Sequence, residues 1–171
     1  MPENTYHTSV MLHECIDGLR IDPAGTYVDV TFGGGGHSKA ILAKLGPEGR
    51  LFSFDQDPDA WEQAEKIEDE RLTLITANFR YLEKYLRLHR VKEVDGILAD
   101  FGVSSFQLDA PERGFSIRFD GPLDMRMGPS ASMTAAELLN SYSATELQRI
   151  LGMYGEVKNA RTLAQAIIQA R

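Results

Sequence analysis

A run of four consecutive glycines limits what this sequence can fold into more than any other feature. The run, residues 33–36, follows residues 26–32, whose β-branched and aromatic side chains predict a buried strand. Residues 38–45 come next and carry apolar side chains at helical spacing. A strand that ends in a glycine turn and leads into a helix is the opening of a βαβ unit.

The same alternation continues along the first hundred residues. Strands are predicted at residues 26–32, 50–54, 72–76 and 94–99. Helices are predicted at residues 8–19, 38–45, 58–69 and 80–90, the third of them beginning after the N-cap Asp57. Alternating strands and helices predict an α/β fold, in which a parallel sheet has helices on both faces.

The pattern changes after Asp100. Residues 101–133 have no clear periodicity and hold three prolines and four glycines. Two capping boxes follow, at residues 134–137 and 143–146, and a last helix is predicted at residues 157–170. We therefore expect two domains: residues 1–106, with the first four strands of a Rossmann-like core, and residues 107–171, a helical region.

A doubly wound sheet of four strands is small, and the sequence stops at Arg171 inside a predicted helix. We therefore expect the chain to hold the first half of a nucleotide-binding fold and an incomplete helical region. We also expect it to be weakly active or inert unless it assembles with another copy as a homodimer.

The cysteine content and the hydropathy pattern predict the cellular location. Cys15 is the single cysteine, so no internal disulfide forms, and it falls on the apolar side of the first predicted helix, where we expect a core residue. The N-terminal sequence has no basic and apolar signal pattern, and no stretch of 18 apolar residues occurs. These features predict a cytoplasmic protein with no membrane association.

The net charge and the local charge distribution give opposite indications about nucleic-acid binding. The net charge of −7 argues against a general nucleic-acid binder. Residues 80–92, however, carry five basic side chains against one acid, a local charge of +4. This segment is either a solvated helix face or an RNA contact.

The glycine turn predicts a ligand that approaches the backbone closely. Asp55, twenty residues after Gly35, ends the next predicted strand, where dinucleotide-binding folds keep an acid for ribose hydroxyls. The mononucleotide P-loop motif is missing, and Ser38 replaces the third glycine of the dinucleotide motif. S-adenosylmethionine needs only the turn and the acid, so it fits best, while a tight turn without a ligand is the alternative.

Asp100 ends the fourth predicted strand, at the sheet edge where ligands bind. Asp100, Phe101 and Gly102 match one protein-kinase motif, but the other kinase motifs are absent. A carboxylate here can accept a hydrogen bond from an exocyclic amine and so activate its nitrogen for methyl transfer. The alternative is that Asp100 is a helix cap or a buried, hydrogen-bonded acid. Methylation at a ring carbon would instead need a cysteine nucleophile, which Cys15 in the core cannot supply.

Two further residues have alternative interpretations. Phe79, after the third predicted strand, either stacks on an adenine ring or belongs to the core. His37 has no spaced histidine or cysteine partners, so we expect no metal site.

At this point the motifs together resemble those of the RsmH (MraW) methyltransferases. The matching segments read HTSV (7–10), TFGGGGHS (31–38), FDQD (54–57), DFGVSS (100–105), QLD (107–109), PERGFS (111–116) and DGPLDMRM (120–127). They cover nearly the whole chain in collinear order, and the stretch from Glu112 to Met127 is the most specific. Phe101 and Phe106 depart from the pattern, since the family usually has leucine and proline there.

The resemblance implies a class I methyltransferase fold with a helical insertion after the fourth strand. It implies that S-adenosylmethionine donates a methyl group to N4 of a cytidine in the decoding region of 16S ribosomal RNA, in the small ribosomal subunit. It also implies cofactor contacts from Gly34, Gly35, Gly36, His37, Asp55, Phe79, Asp100 and Gln107. Two alternatives stay open: an NAD-type oxidoreductase with the same turn and acid, and a non-catalytic fragment that binds cofactor or RNA.

Overall fold

The structure, a computed structural model, describes residues 9–171, so His7 and Thr8 of the first matching segment lie outside the described residues. By its internal contacts the chain divides into two compact units. The first comprises Met1–Phe106 with Met127–Ser130, and the second comprises Gln107–Arg126 with Ala131–Arg171. Met127–Ser130 joins the first unit although the predicted boundary assigned it to the second. Gly128 explains this, because it lies so close to Gln56 that an added Cβ would be 2.8 Å from that side chain.

The first unit contains the parallel sheet that the sequence predicts. Its strands are β1 (Thr26–Asp29), β2 (Arg50–Phe54), β3 (Leu72–Ile75) and β4 (Gly96–Leu98), in the spatial order β3-β2-β1-β4. All three pairings are parallel. The helices of this unit are α1 (Leu12–Leu19), α2 (Gly36–Leu42), α3 (Pro58–Ala64) and α4 (Leu82–Leu88), with a 3-10 turn at Phe79–Tyr81. The predicted α/β fold is confirmed.

Alternation of side chains along the two middle strands builds a core on each face of the sheet. Tyr27 and Leu51 pack on one face with residues of α1 and α2, and Cys15 packs against this cluster as predicted. Val28 and Phe52 pack on the other face with Leu86 of α4. Because both faces are covered, every residue of β1 after Thr26 is buried.

Several helices are shorter than the sequence predicts. Helix α2 ends at Leu42, and Gly46, beyond it, donates its N–H to the carbonyl of Pro23 instead of capping the helix. Helix α3 ends at Ala64. Its predicted N-cap is confirmed, since the Asp57 carboxylate accepts the Asp59 N–H at 3.2 Å.

The second unit is helical, as expected. Helix α5 (Ser105–Asp109) begins in the first unit and extends into the second, followed by a 3-10 turn at Pro111–Arg113, α6 (Ala135–Ser141), α7 (Ala144–Met153) and α8 (Ala160–Ala170). Both predicted capping boxes are present, at the starts of α6 and α7. Leu147 of α7 and Ala164 of α8 are almost fully buried and form the centre of this unit.

Candidate cofactor site and active site

The glycine turn between β1 and α2 is closed on its inner side and open on its outer side. Gly33 and Gly35 have φ angles of +51° and +76°, which side-chain-bearing residues rarely adopt. A Cβ on Gly35 would lie 2.8 Å from the ring of Phe32, and one on Gly36 would collide with the hydroxyl of Ser9. Gly34, in contrast, is exposed, and a Cβ added to it would meet only the ring of Phe106, at an ordinary contact distance of 3.5 Å. A ligand can therefore approach the backbone at Gly33 and Gly34.

Asp55 lies at the end of β2 and reaches back to this turn. Its Oδ2 accepts the Gly33 N–H at 2.8 Å, and its Oδ1 accepts the Asp57 N–H at 2.9 Å. Burial raises the pKa of the Asp55 carboxyl, while these backbone N–H groups lower it. A third backbone N–H, that of Gln56, also bonds to the carboxylate. An ionised carboxylate has about four acceptor positions, so one remains for a ligand hydroxyl.

A buried polar cluster lies beneath the turn, and the sequence interpretation missed it. Asp29, Ser38 and Ser53 are all fully buried. The Ser38 hydroxyl donates to Asp29 Oδ2 at 2.7 Å and lies 2.8 Å from the Ser53 hydroxyl. The cluster could have been predicted from Asp29, an acid inside a strand predicted to be buried, because a buried aspartate needs hydrogen-bonding partners. Ser38 is the residue that replaces the third glycine of the dinucleotide motif, and here it belongs to this cluster.

The burial of Asp29 predicts how the free energy of unfolding depends on pH. Desolvation raises the pKa of its carboxyl above 3.8, against opposing hydrogen bonds. The folded state then binds the proton more tightly than the unfolded state, so this group stabilises the fold at acid pH and loses that contribution as pH rises through the folded pKa. Asp29→Asn has no such proton, so its free energy of unfolding relative to wild type should increase between about pH 4 and about pH 8. Urea denaturation at both pH values measures this, and a relative stability that falls with pH would contradict it.

Asp100 and His37 face each other at the carboxyl end of the sheet. The Asp100 side chain is 42% exposed, and its backbone N–H donates to the Thr31 hydroxyl at 2.8 Å. His37 is buried, and its Nε2 lies 3.1 Å from the carbonyl of Val10. Its Nδ1 lies 4.0 Å from Asp100 Oδ2, which is too long for a hydrogen bond. The carboxylate of Asp100 is therefore accessible to a substrate.

Phe79 is not a core residue, so that alternative is wrong. It begins the 3-10 turn after β3, where the Asn78 side chain caps the turn by accepting the Arg80 N–H. Its ring is 41% exposed and lies 5.5 Å from the ring of Phe101, which is 71% exposed. Since β3 and β4 form opposite edges of the sheet, the two rings meet above the ends of the middle strands. Both rings are apolar and exposed, and their planes are inclined to each other by 39°.

Gln107 belongs to the second unit, so the cofactor contact that the resemblance implies for it stays a prediction. The structure places it in α5 with only 4% of its surface exposed.

The arginines of the family-specific segment pair within the second unit. Arg126 makes two hydrogen bonds to the Asp124 carboxylate, at 2.8 and 2.7 Å, and holds the pKa of Asp124 at about 2. Arg113 donates to the carbonyl of Arg126 at 3.1 Å, and Arg118 lies 3.6 Å from Asp109. In the basic segment 80–92, Arg87 pairs with Glu83 at 2.6 Å, and both side chains are exposed. The two bonds to Asp124 favour a structural role for Arg126 over a phosphate contact.

Among residues 9–171, no group of three or more potential metal ligands lies close enough to hold an ion. None of the helices in this range is both long and apolar enough to cross a membrane.

Comparisons with known proteins agree with the motifs. Residues 4–171 match the model of the MraW methylase family. The chain is 62% identical over 161 residues to the ribosomal RNA small subunit methyltransferase H of Flavobacterium psychrophilum, which covers 94% of this chain and 55% of the relative. The enzymes of the same name from Cytophaga hutchinsonii and Bacteroides thetaiotaomicron are 58% and 54% identical, over 97% and 99% of this chain and 55% of each relative. The chain thus spans about half the length of these relatives.

Proposed function

Because this chain belongs to the MraW methylase family, we propose that it supplies the cofactor-binding site and the active-site acid of an S-adenosylmethionine-dependent RNA methyltransferase. The proposed reaction is methylation of N4 of a cytidine in the decoding region of bacterial 16S ribosomal RNA. The observation that carries the proposal is the hydrogen bond from the Gly33 N–H to Asp55, which joins the open glycine turn to a ribose-binding acid. The relatives named as small subunit methyltransferases support the ribosomal substrate and, with it, a cytoplasmic location.

The residues at the turn fit S-adenosylmethionine. Gly33 and Gly34 have no side chains of their own, and a Cβ added to either would make no contact shorter than 3.5 Å. An extended ligand can therefore lie against the backbone there. The Asp55 carboxylate has acceptor capacity left for a ribose hydroxyl. The exposed ring of Phe79 offers a stacking surface for adenine.

The dinucleotide alternative fits less well. The third glycine of that motif allows a helix to pack closely on a strand. Here Ser38 fills this place with a hydroxyl that is bonded to Asp29 and Ser53. No observation favours the oxidoreductase function.

Asp100 is the residue we assign to the chemistry. S-adenosylmethionine supplies an electrophilic methyl group when it is bound. The N4 lone pair of cytosine is delocalised into the ring, so it is a weak nucleophile. Asp100 accepts a hydrogen bond from an N4–H, which localises the lone pair, and then takes the proton that the methylated amine must lose. Its partial exposure leaves the carboxylate free to reach that amine.

Replacing Asp55 tests the cofactor directly. Asp55→Ala removes charged hydrogen bonds worth about 1.5–3 kcal/mol, so S-adenosylmethionine should bind about 10- to 100-fold more weakly. Isothermal titration calorimetry of the purified protein measures this. Glu62→Ala is the matched control, because Glu62 is an exposed carboxylate on α3, and it should bind like wild type.

NAD serves as the second ligand in the same titration. Binding of NAD with no binding of S-adenosylmethionine would contradict the proposed cofactor. Binding of S-adenosylmethionine without methyl transfer to small ribosomal subunits would favour the non-catalytic fragment. Sedimentation velocity on the same sample tests the proposed homodimer.

A further inference from the structure

Thr31 connects the carboxyl ends of two neighbouring strands. Its Oγ1 accepts the Asp100 N–H at 2.8 Å and lies 3.4 Å from Asp29 Oδ1. The Asp29 carboxylate also accepts the Thr31 N–H at 3.0 Å. Asp29 ends β1, and Asp100 is the second residue after β4, which pairs with β1. The side chain of Thr31 therefore lies between a buried acid and the exposed acid that we assign to catalysis.

The carboxylate of Asp29 sets the direction of every hydrogen bond in this cluster. Each hydroxyl group has one proton to donate. Ser38 gives its proton to Asp29, so Ser53 must be the donor in the contact between the two serines. The Thr31 hydroxyl accepts from Asp100, so its own proton is free to point at Asp29. The lone pair that receives the Asp100 N–H thus has a defined orientation.

The segment that begins at Asp100 has few other restraints. Residues 99–103 are exposed and have no helix or strand structure, and Gly102 has a φ of +159°. The side chain of Asp100 is too far from His37 for a hydrogen bond. The bond to Thr31 therefore anchors the backbone of Asp100 at the start of an irregular segment.

We propose that Thr31 is a positioning residue: its hydroxyl, oriented by the buried carboxylate of Asp29, holds Asp100 where its carboxylate meets the substrate amine. This inference rests on the proposed function, which gives Asp100 its role. Displacing a catalytic group by about 1 Å can lower a rate by up to about a hundredfold, so one backbone bond is sufficient to matter. Ser38 and Ser53 then contribute through Asp29, because they fix which way its partners point.

Three variants separate positioning from folding. Thr31→Val keeps the branched shape but cannot accept the Asp100 N–H, whereas Thr31→Ser keeps the hydroxyl. We expect Thr31→Val to lower kcat for methyl transfer to small ribosomal subunits by about tenfold or more, with the Kd for S-adenosylmethionine changed by about threefold at most. Thr31→Ser should stay within about threefold of the wild-type rate. Thr73→Val, the same change in the middle of β3, is the matched control and should behave as wild type.

Hydrogen exchange of the peptide that contains Asp100 gives a readout independent of activity. Thr31→Val should exchange faster there than wild type and Thr31→Ser, with the same melting temperature. Unchanged exchange, or an unchanged kcat, in Thr31→Val would overturn the inference and leave the proposed function intact. An equal loss of kcat in Thr31→Ser would also overturn it, because the hydroxyl would then not be the active feature. A wild-type protein that binds no S-adenosylmethionine would refute the proposed function, while the exchange comparison still decides whether Thr31 holds Asp100.

Discussion

Replacing Asp100 by alanine is expected to lower kcat for methyl transfer by about 10²- to 10³-fold, while the protein keeps its fold. The side chain of Asp100 is 42% exposed and makes no hydrogen bond among the described residues, so its removal leaves no buried group unpaired. The variant does lose the acceptor for the substrate amine and for its departing proton, and general-base catalysis contributes about 10²- to 10⁴-fold. Single-turnover transfer of a labelled methyl group to small ribosomal subunits, at saturating cofactor, measures the effect.

Two companion variants sharpen this test. Asp100→Asn keeps a neutral acceptor but binds a proton poorly, so its rate should fall between those of wild type and the alanine variant. Asp17→Ala removes an exposed carboxylate from α1 and should leave the rate unchanged. A rate for Asp100→Ala within about threefold of wild type would remove Asp100 from the chemistry and leave binding energy and proximity as the source of catalysis.

Alanine substitutions at neighbouring glycines of the turn should separate stability from binding. Gly35→Ala forces a side chain into the left-handed region and places its Cβ 2.8 Å from the Phe32 ring. The conformational strain costs about 1–2 kcal/mol and the overpacking about 1–3 kcal/mol, so we expect a loss of about 2–5 kcal/mol in the free energy of unfolding. Urea denaturation at fixed pH measures this loss.

Gly34→Ala is the matched partner, because Gly34 has no positive φ and its added Cβ meets only Phe106, at an ordinary 3.5 Å. Its free energy of unfolding should stay within about 1 kcal/mol of wild type. Its methyl group projects into the open side of the turn, so S-adenosylmethionine should bind about tenfold more weakly. Equal destabilisation by both variants would show that the turn is not closed on one side and open on the other.

Sequence patterns were sufficient for the parallel sheet because each strand is a short apolar run bounded by turn residues. Asp57 and both capping boxes were also predictable, since a cap depends on side chains a few residues apart. The early ends of α2 and α3 were not. Gly46 bonds to Pro23, a partner twenty-three residues earlier in the chain, and local patterns contain no information about such a contact.

In the candidate site, too, the sequence predicts some residues and not others. Gly35 and Asp55 follow from the position of the turn and of the next strand end. Asp29 escaped notice because its partners Ser38 and Ser53 are brought to it by α2 and β2 only after folding. The exposure of Phe79 depends on the path of the chain around Asn78, which periodicity cannot give.

Strand β4 has consequences for how this protein must be handled. It contributes three residues to the sheet and, among the described residues, pairs with β1 alone, so its outer row of N–H and C=O groups is available to another strand. Molecules of the protein repel one another through a net charge of −7, which opposes such encounters at low ionic strength. Salt screens that repulsion. We therefore expect strand-to-strand association at this edge to shorten shelf life in a concentrated, salty buffer, and dilute, low-salt storage should keep the sample monodisperse for the binding and rate measurements.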